Sequence, residues 1–268
     1  MTQPFVAAGP TGALHGTDGG ARTDRAPAVL IHGINGSAAD WAEVAERLGG
    51  ERRTITLDLR GHGASTPDGP YGARDYLADV LAVLDDREVE RAHLVGASFG
   101  GSVAVAAAAL APQRVASITA LGSALRVDDP PDVDAGVSAM RAAGATAVFA
   151  GMLAEISFAP NTDPAVVRAT AERAGARDVD VIAAVTRAAF GDDVTELAGS
   201  VGAPALVLVG ELDRTTPVAL GEQLAAALET HARVLPGRGH MAMLEDPEGV
   251  AALIAEHLAA HDGAGVGR

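Results

Sequence analysis

Three residues of this chain have the types that acyl transfer requires. They are Ser98 inside Gly96-Ala97-Ser98-Phe99-Gly100, Asp213 at the end of LVLVGELD, and His240 inside LPGRGHMAML. A serine hydroxyl is a weak nucleophile near neutral pH, so it needs a base to take its proton, and an imidazole base needs a carboxylate to orient it. The order Ser98, Asp213, His240 supplies all three. Attack on a carbonyl would build an oxyanion, and two backbone N–H groups are available to hold it: that of Phe99, and that of Ile34 after His32-Gly33 in LIHGING. Asp128, Asp129 and Glu211 stay open as rival acids. Among the eight histidines, His32 belongs to the oxyanion loop. His93, His231, His257 and His261 fall at strand starts or on helix positions expected to be exposed.

Positioning these groups requires sharp turns at the ends of strands. Short runs rich in β-branched residues, bounded by turn residues, predict strands over Ala28 to His32, Thr54 to Asp58, Ala92 to Gly96, Val115 to Leu121 and Ala205 to Gly210. Their continuous hydrophobicity suits strands buried on both faces of a parallel sheet. Helical patterns alternate with them at Ala38 to Leu48, Ala73 to Leu84, Gly100 to Leu110, Pro217 to Leu228 and Pro247 to His261. A threonine before Pro217 and Asp246 before Pro247 read as helix starts. Ser98 therefore lies where a strand runs straight into a helix. There the flanking glycines avoid backbone collisions and Ser98 is expected at positive φ.

The alternation stops between about Leu125 and Gly202. Helical stretches follow one another there at Val133 to Ala143, Thr146 to Ile156, Pro164 to Gly175 and Val179 to Phe190. The reading is a core made of residues 1–124 and 203–268 with a helical cap of residues 125–202. Phe149, Phe158, Phe190, Met140 and Met152 are concentrated in the cap, first of all as its own core. Met152 and Phe158, with Met241 beside His240, are the substrate-binding candidates.

Composition narrows the class. Of the 268 residues, 48% are hydrophobic and 21% charged, which is globular. A formal net charge of -15 opposes binding to nucleic acid. The absence of cysteine excludes disulfides, thiolate catalysis and Cys-based zinc sites. The N-terminus has no basic start followed by an apolar segment, and Val103 to Ala111 is the longest apolar run, so neither a secretory signal nor a membrane span is expected. A cytoplasmic monomer or homodimer acting on a small molecule is the expectation. Thr17 to Pro27 and the tail Gly263 to Arg268 read as loose ends.

With H-G at His32-Gly33, the loop Asp58-Leu59-Arg60-Gly61-His62-Gly63-Ala64-Ser65, the G-x-S-x-G turn, the G-x-x-D strand end and the G-x-G-H loop, the chain resembles the α/β-hydrolase fold superfamily. The similarity runs from about Ala28 to His257 and lies in the capped esterase, lactonase and haloperoxidase-like branch. It implies an α/β-hydrolase fold, with a mostly parallel central sheet, helices on both faces and a helical cap. It also implies Ser98 as nucleophile, His240 as general base, Asp213 as its partner, Ile34 and Phe99 as oxyanion donors, and no metal or organic cofactor. Asp58, Arg60 and His62 are structural in such proteins. Ala97 and Met241 depart from the Asn and Trp usual in C–C bond hydrolases, and Ser98 excludes the carboxylate-nucleophile chemistry of haloalkane dehalogenases and epoxide hydrolases. The expectation is a serine hydrolase of a small, largely apolar ester or lactone. A haloperoxidase-like perhydrolase or a C–C hydrolase using the same triad is the alternative. A non-catalytic ligand-binding member ranks last, because all three triad residues are kept.

Overall fold

The apolar runs assemble into one sheet. In a computed structural model, which describes residues 2–262, eight strands pair among the described residues. They are Gln3–Ala8 (β1), Ala13–Gly20 (β2), Ala28–Ile31 (β3), Arg53–Leu57 (β4), Ala92–Ala97 (β5), Val115–Leu121 (β6), Ala205–Gly210 (β7) and Ala232–Leu235 (β8). Their spatial order is β1-β2-β4-β3-β5-β6-β7-β8. The β1–β2 and β2–β4 pairs are antiparallel and the rest are parallel. In such a sheet the loops at the carboxyl ends of the parallel strands converge where strand order reverses, here between β3 and β5.

The helices are Ala42–Leu48 (α1), Ala73–Asp86 (α2), Phe99–Leu110 (α3), Val133–Ala143 (α4), Ala145–Met152 (α5), Pro164–Gly175 (α6), Val179–Phe190 (α7), Thr195–Ala198 (α8), Val218–Ala227 (α9), Ala242–Glu245 (α10) and Pro247–Ala260 (α11). Two apolar clusters hold the core. One joins Val80 and Val83 of α2, Val103 and Val105 of α3 and Leu224 of α9 to Val29 and Leu94. The other joins Val44 of α1 and Ile254 of α11 to Leu30, Val95 and Leu208, whose side chains leave β3, β5 and β7 from the opposite face. Nine consecutive residues of α3, Gly100 to Ala108, are buried, so this helix is apolar on every side because it is covered on every side.

Between β6 and β7 the chain is helical apart from one bridge, Arg126 to Asp193. These inserted helices have a cluster of their own, built on Phe149, Leu153, Phe158 and Ile182, and Met241 and Leu244 of the sheet domain pack against it. Among the described residues no helix is long and apolar enough to cross a membrane.

Three elements differ from the sequence expectation. The Gly-rich stretch read as loose from Thr17 onward starts inside β2, where Leu14 and Asp18 are buried and Asp18 receives two hydrogen bonds from Arg53 at 3.0 and 2.6 Å. Pairing with β4 and burial of Phe5 and Leu14 outweigh the poor strand propensity of glycine. Strand β8 is an edge strand with two of its four residues exposed, which hides it from hydrophobic patterning. No threonine caps α9; Pro217 precedes it, and the nearby threonines serve the site instead. Gly263 to Arg268 lie outside the described residues.

Candidate active site

Ser98 occupies the junction between β5 and α3 with φ 52° and ψ −124°. Its N–H donates to the Leu121 carbonyl at 2.7 Å and its carbonyl accepts from Gly101 N–H at 2.9 Å, so the turn is held from β6 on one side and from α3 on the other. A Cβ on Gly96 would lie 2.1 Å from the Gly100 oxygen, and one on Gly100 would lie 2.5 Å from the Ile31 oxygen. Only glycine fits at both positions. A positive φ on a residue with a side chain costs about 1–2 kcal/mol, and here it turns the half-buried serine toward the cavity at the strand ends.

Asp213 follows β7 and is fully committed. Its Oδ1 accepts the N–H groups of Thr215 at 2.9 Å and Thr216 at 2.6 Å, and its Oδ2 lies 2.8 Å from His240 Nδ1. An ionised carboxylate only accepts, so Nδ1 carries the hydrogen and Nε2 keeps its lone pair. His240 is positioned from its other side by the inserted helices. The backbone passes from α5 into a π turn, Leu153–Ser157, and the Ser157 carbonyl at its end accepts from His240 N–H at 2.7 Å and Met241 N–H at 3.2 Å. Gly122, at φ +57°, closes the third side. A Cβ there would sit 3.0 Å from His240 Nδ1 and 3.1 Å from Asp213 Oδ2.

The loop after β3 is stitched by two buried histidines. His32 Nε2 accepts from Leu59 N–H at 3.1 Å, so its Nδ1 carries the hydrogen and donates to Gly33 O at 2.7 Å. His62 Nε2 accepts from Asn35 N–H at 3.1 Å, and its Nδ1 donates to Arg60 O at 3.0 Å. Burial lowers His32 below its ordinary 6.5 and holds His62 well below it, His32 adding to the effect on His62. Both are neutral acceptors at neutral pH. Asp58 receives Ala38 N–H at 2.7 Å and Ala64 N–H at 3.0 Å, and Arg60 forms a buried ion pair with Asp79 at 2.6 Å. Asp58, Arg60 and His62 thus shape loops. Among the described residues neither Ile34 N–H nor Phe99 N–H meets a protein acceptor. Phe99 N–H is free of the helix because Phe99 is the first residue of α3.

Two cavities meet at Ser98. The larger, about 90 Å³, is lined by Ser98, His240, Ile34, Met152, Met241 and Phe149 among others, with Asp40 as its one carboxylate. That carboxylate is paired with Arg173 at 2.8 Å. The smaller, about 60 Å³, has Phe99, Val127 and Phe190 on its wall and Arg126 and Asp192 as its charged groups. Met152 and Met241 are therefore on the cavity wall. Phe158 is not: it is 4% exposed within the cluster of the inserted helices, because the chain leaves the π turn extended and points it into that cluster. Phe149 of α5 takes the aromatic place on the wall. Chemically, an imidazole with a free Nε2 and a hydroxyl opening on one cavity can relay a proton, with two unpaired N–H groups nearby for a negative oxygen.

Comparison with known proteins bears on the family and the fold. The model of the alpha/beta hydrolase family matches residues 28–253. The chain belongs to this family. Its hydrolase relatives include the 2-hydroxy-6-oxo-2,4-heptadienoate hydrolase of Pseudomonas putida, 30% identical over 88% of this chain and 90% of that protein. The enol-lactonase of Burkholderia xenovorans LB400 superposes with a TM-score of 0.87 at 26% identity, covering 95% of this chain and 100% of the other. A shorter match, 46% identical, is to the dihydrolipoyllysine-residue acetyltransferase component of the acetoin cleaving system of Pseudomonas putida, and spans 37% of this chain and 27% of that protein.

For this alpha/beta hydrolase the groups that motif reading did not find are Ser157, Gly122 and the Thr215 and Thr216 N–H groups. Thr215 and Thr216 carry a local signal, since an aspartate in a turn commonly accepts the backbone N–H groups two or three residues further on. Ser157 and Gly122 carry none. They act through backbone atoms brought in from distant parts of the chain.

Proposed function

We propose that the protein, a hydrolase by family, cleaves a carboxylic ester or lactone of a small, largely apolar substrate through an acyl-enzyme. The observation that carries this reading is the Asp213 to His240 hydrogen bond of 2.8 Å, with Asp213 Oδ1 taken up by two backbone N–H groups and Ser98 held at φ 52° on the same cavity. Ser98 Oγ attacks the substrate carbonyl while His240 Nε2 takes its proton. Asp213 stabilises the imidazolium, and the Ile34 and Phe99 N–H groups hold the oxyanion. The alcohol leaves with the proton returned by His240. Water, activated by the same nitrogen, then attacks the acyl-serine and releases the acid. No step needs a metal or an organic cofactor. The helices between β6 and β7 act as a cap, and Met152 and Met241 contact the substrate.

The cavity beside His240 favours an uncharged acyl group, because its one carboxylate, Asp40, is neutralised by Arg173 and no unpaired guanidinium lines it. Likeness over most of its length to a 2-hydroxy-6-oxo-2,4-heptadienoate hydrolase supports a second reading, C–C bond cleavage with the same triad. A panel of short esters, lactones and vinylogous diketones, with product analysis, separates the two. The first reading expects turnover of esters or lactones, lost in Ser98→Ala together with fluorophosphonate labelling. Turnover confined to diketones selects the second reading, and ester hydrolysis undiminished in Ser98→Ala refutes both.

A further inference from the structure

Ile34 is followed by Asn35, a residue with a side chain held at φ 61°. Three contacts hold it there. Its N–H donates to His62 Nε2 at 3.1 Å, its Nδ2 donates to Thr186 Oγ1 at 3.2 Å, and its Oδ1 accepts from Arg177 Nη2. The amide orientation is fixed by chemistry, since a guanidinium can only donate and Thr186 Oγ1 already gives its own hydrogen to Ile182 O at 2.7 Å. Two of these partners belong to the inserted helices: Thr186 lies in α7, and Arg177 lies in the connection between α6 and α7.

Arg177 reaches further. Its Nη1 donates to Gly61 O at 2.5 Å, in the loop after β4. One guanidinium from the insertion thus clamps the loop after β3, which carries Ile34, to the loop after β4, whose His62 supports it. Among the described residues no carboxylate pairs with it; Tyr76 and Tyr71 are its electrostatic neighbours, and burial pulls it down to about 10. A surface ion pair would be the cheaper use of an arginine in so acidic a chain. Its place behind the loop, with neutral acceptors only, fits a geometric task.

We propose that Arg177 is a positioning residue for the hydrolytic step, carrying the seating of the inserted helices into the orientation of the Ile34 N–H. The inference rests on the proposed acyl transfer at Ser98. With the helices seated, Asn35 is locked in its left-handed conformation and Ile34 N–H faces the cavity. With Arg177 withdrawn, Asn35 relaxes to negative φ and the N–H turns away. The oxyanion site is then complete only under a closed insertion.

The test is Arg177→Met, with Arg177→Lys as the conservative variant and Ser98→Ala as reference, assayed on a short p-nitrophenyl ester and a trifluoromethyl ketone inhibitor. Because an oxyanion donor is used mainly in the transition state, Arg177→Met is expected to lower kcat by about 10- to 100-fold with KM within about 3-fold. Inhibitor affinity should fall by the same factor as kcat/KM. Arg177→Lys should recover part of both. If Arg177→Met does not fold, Asn35→Ala makes the same test, because alanine loses both side-chain contacts and disfavours the positive φ that they hold. Unchanged kcat and inhibitor affinity below the unfolding temperature overturn the proposal, as does a rise in KM alone. If Ser98→Ala stays active, the acyl-transfer reading itself has failed; if it is dead while Arg177→Met is not, only the role of Arg177 falls.

Discussion

Asp213 decides which nitrogen of His240 is a base. In Asp213→Asn the side-chain oxygen keeps the Thr215 and Thr216 N–H groups, so the amide NH₂ faces His240 and forces Nδ1 to accept. The hydrogen moves to Nε2 and the ring can no longer take the serine proton. We expect kcat on a short ester to fall roughly 10³- to 10⁴-fold with the urea midpoint unchanged, since the number of hydrogen bonds is conserved; a loss of under about tenfold would contradict the assignment. Ser98, Asp213 and His240 were legible because each stands among turn residues at the end of a strand or before a helix. So was the Ile34 loop. Phe158 was not: four residues separate Met152 on the cavity wall from the π turn's last residue, Ser157, and nothing in that short interval reveals that a π turn rotates the chain before Phe158. Gly122 and Ser157 contribute only backbone or empty space to the site, which composition does not signal.

At the scale of elements, the end of α11 is fastened to the sheet by a charged cluster. Asp262 pairs with the buried Arg52 at 2.8 Å and with His93 Nε2 at 3.2 Å, while His93 Nδ1 lies 2.8 Å from Ser117 Oγ. Burial pushes His93 down to about 4, so the ring is neutral and Nε2–H donates to Asp262. Asp262→Ala leaves Arg52 buried with the Ala26 carbonyl as its remaining acceptor. The expected loss is about 2 kcal/mol, below the roughly 3–5 kcal/mol of a fully buried broken pair because Asp262 is partly exposed. Equilibrium urea unfolding measures it, and a change under about 0.5 kcal/mol would contradict it. The strands β3 to β7 were readable since each is apolar enough to be covered on both faces. The β1–β2 hairpin and β8 were not. Their residues are glycine-rich or exposed, and sheet pairing rather than local preference makes them strands.

For the whole molecule, four histidines are held neutral by burial: His32, His62, His93 and His257, the last also pushed to about 4. In the unfolded chain each titrates near its ordinary 6.5. The unfolded state therefore takes up protons first, so stability is at its full value above about pH 6.5 and falls as pH drops toward the folded values. The urea midpoint should be lower at about pH 5 than at about pH 7.5, and His62→Gln, whose oxygen can still accept from Asn35, should show a smaller decline. Equal midpoints at the two pH values would contradict this. The same architecture gathers β5, β7, the loop after β8 and the π turn of the insertion around one serine, a convergence that makes Ser98 the nucleophile of the proposed acyl transfer. Intact-mass and peptide-mapping spectrometry of the protein quenched during turnover of p-nitrophenyl acetate tests it directly. One acetyl group is expected on the peptide containing Ser98, absent in Ser98→Ala. Turnover with no acetylated Ser98 at any quench time, together with undiminished hydrolysis by Ser98→Ala, would contradict it.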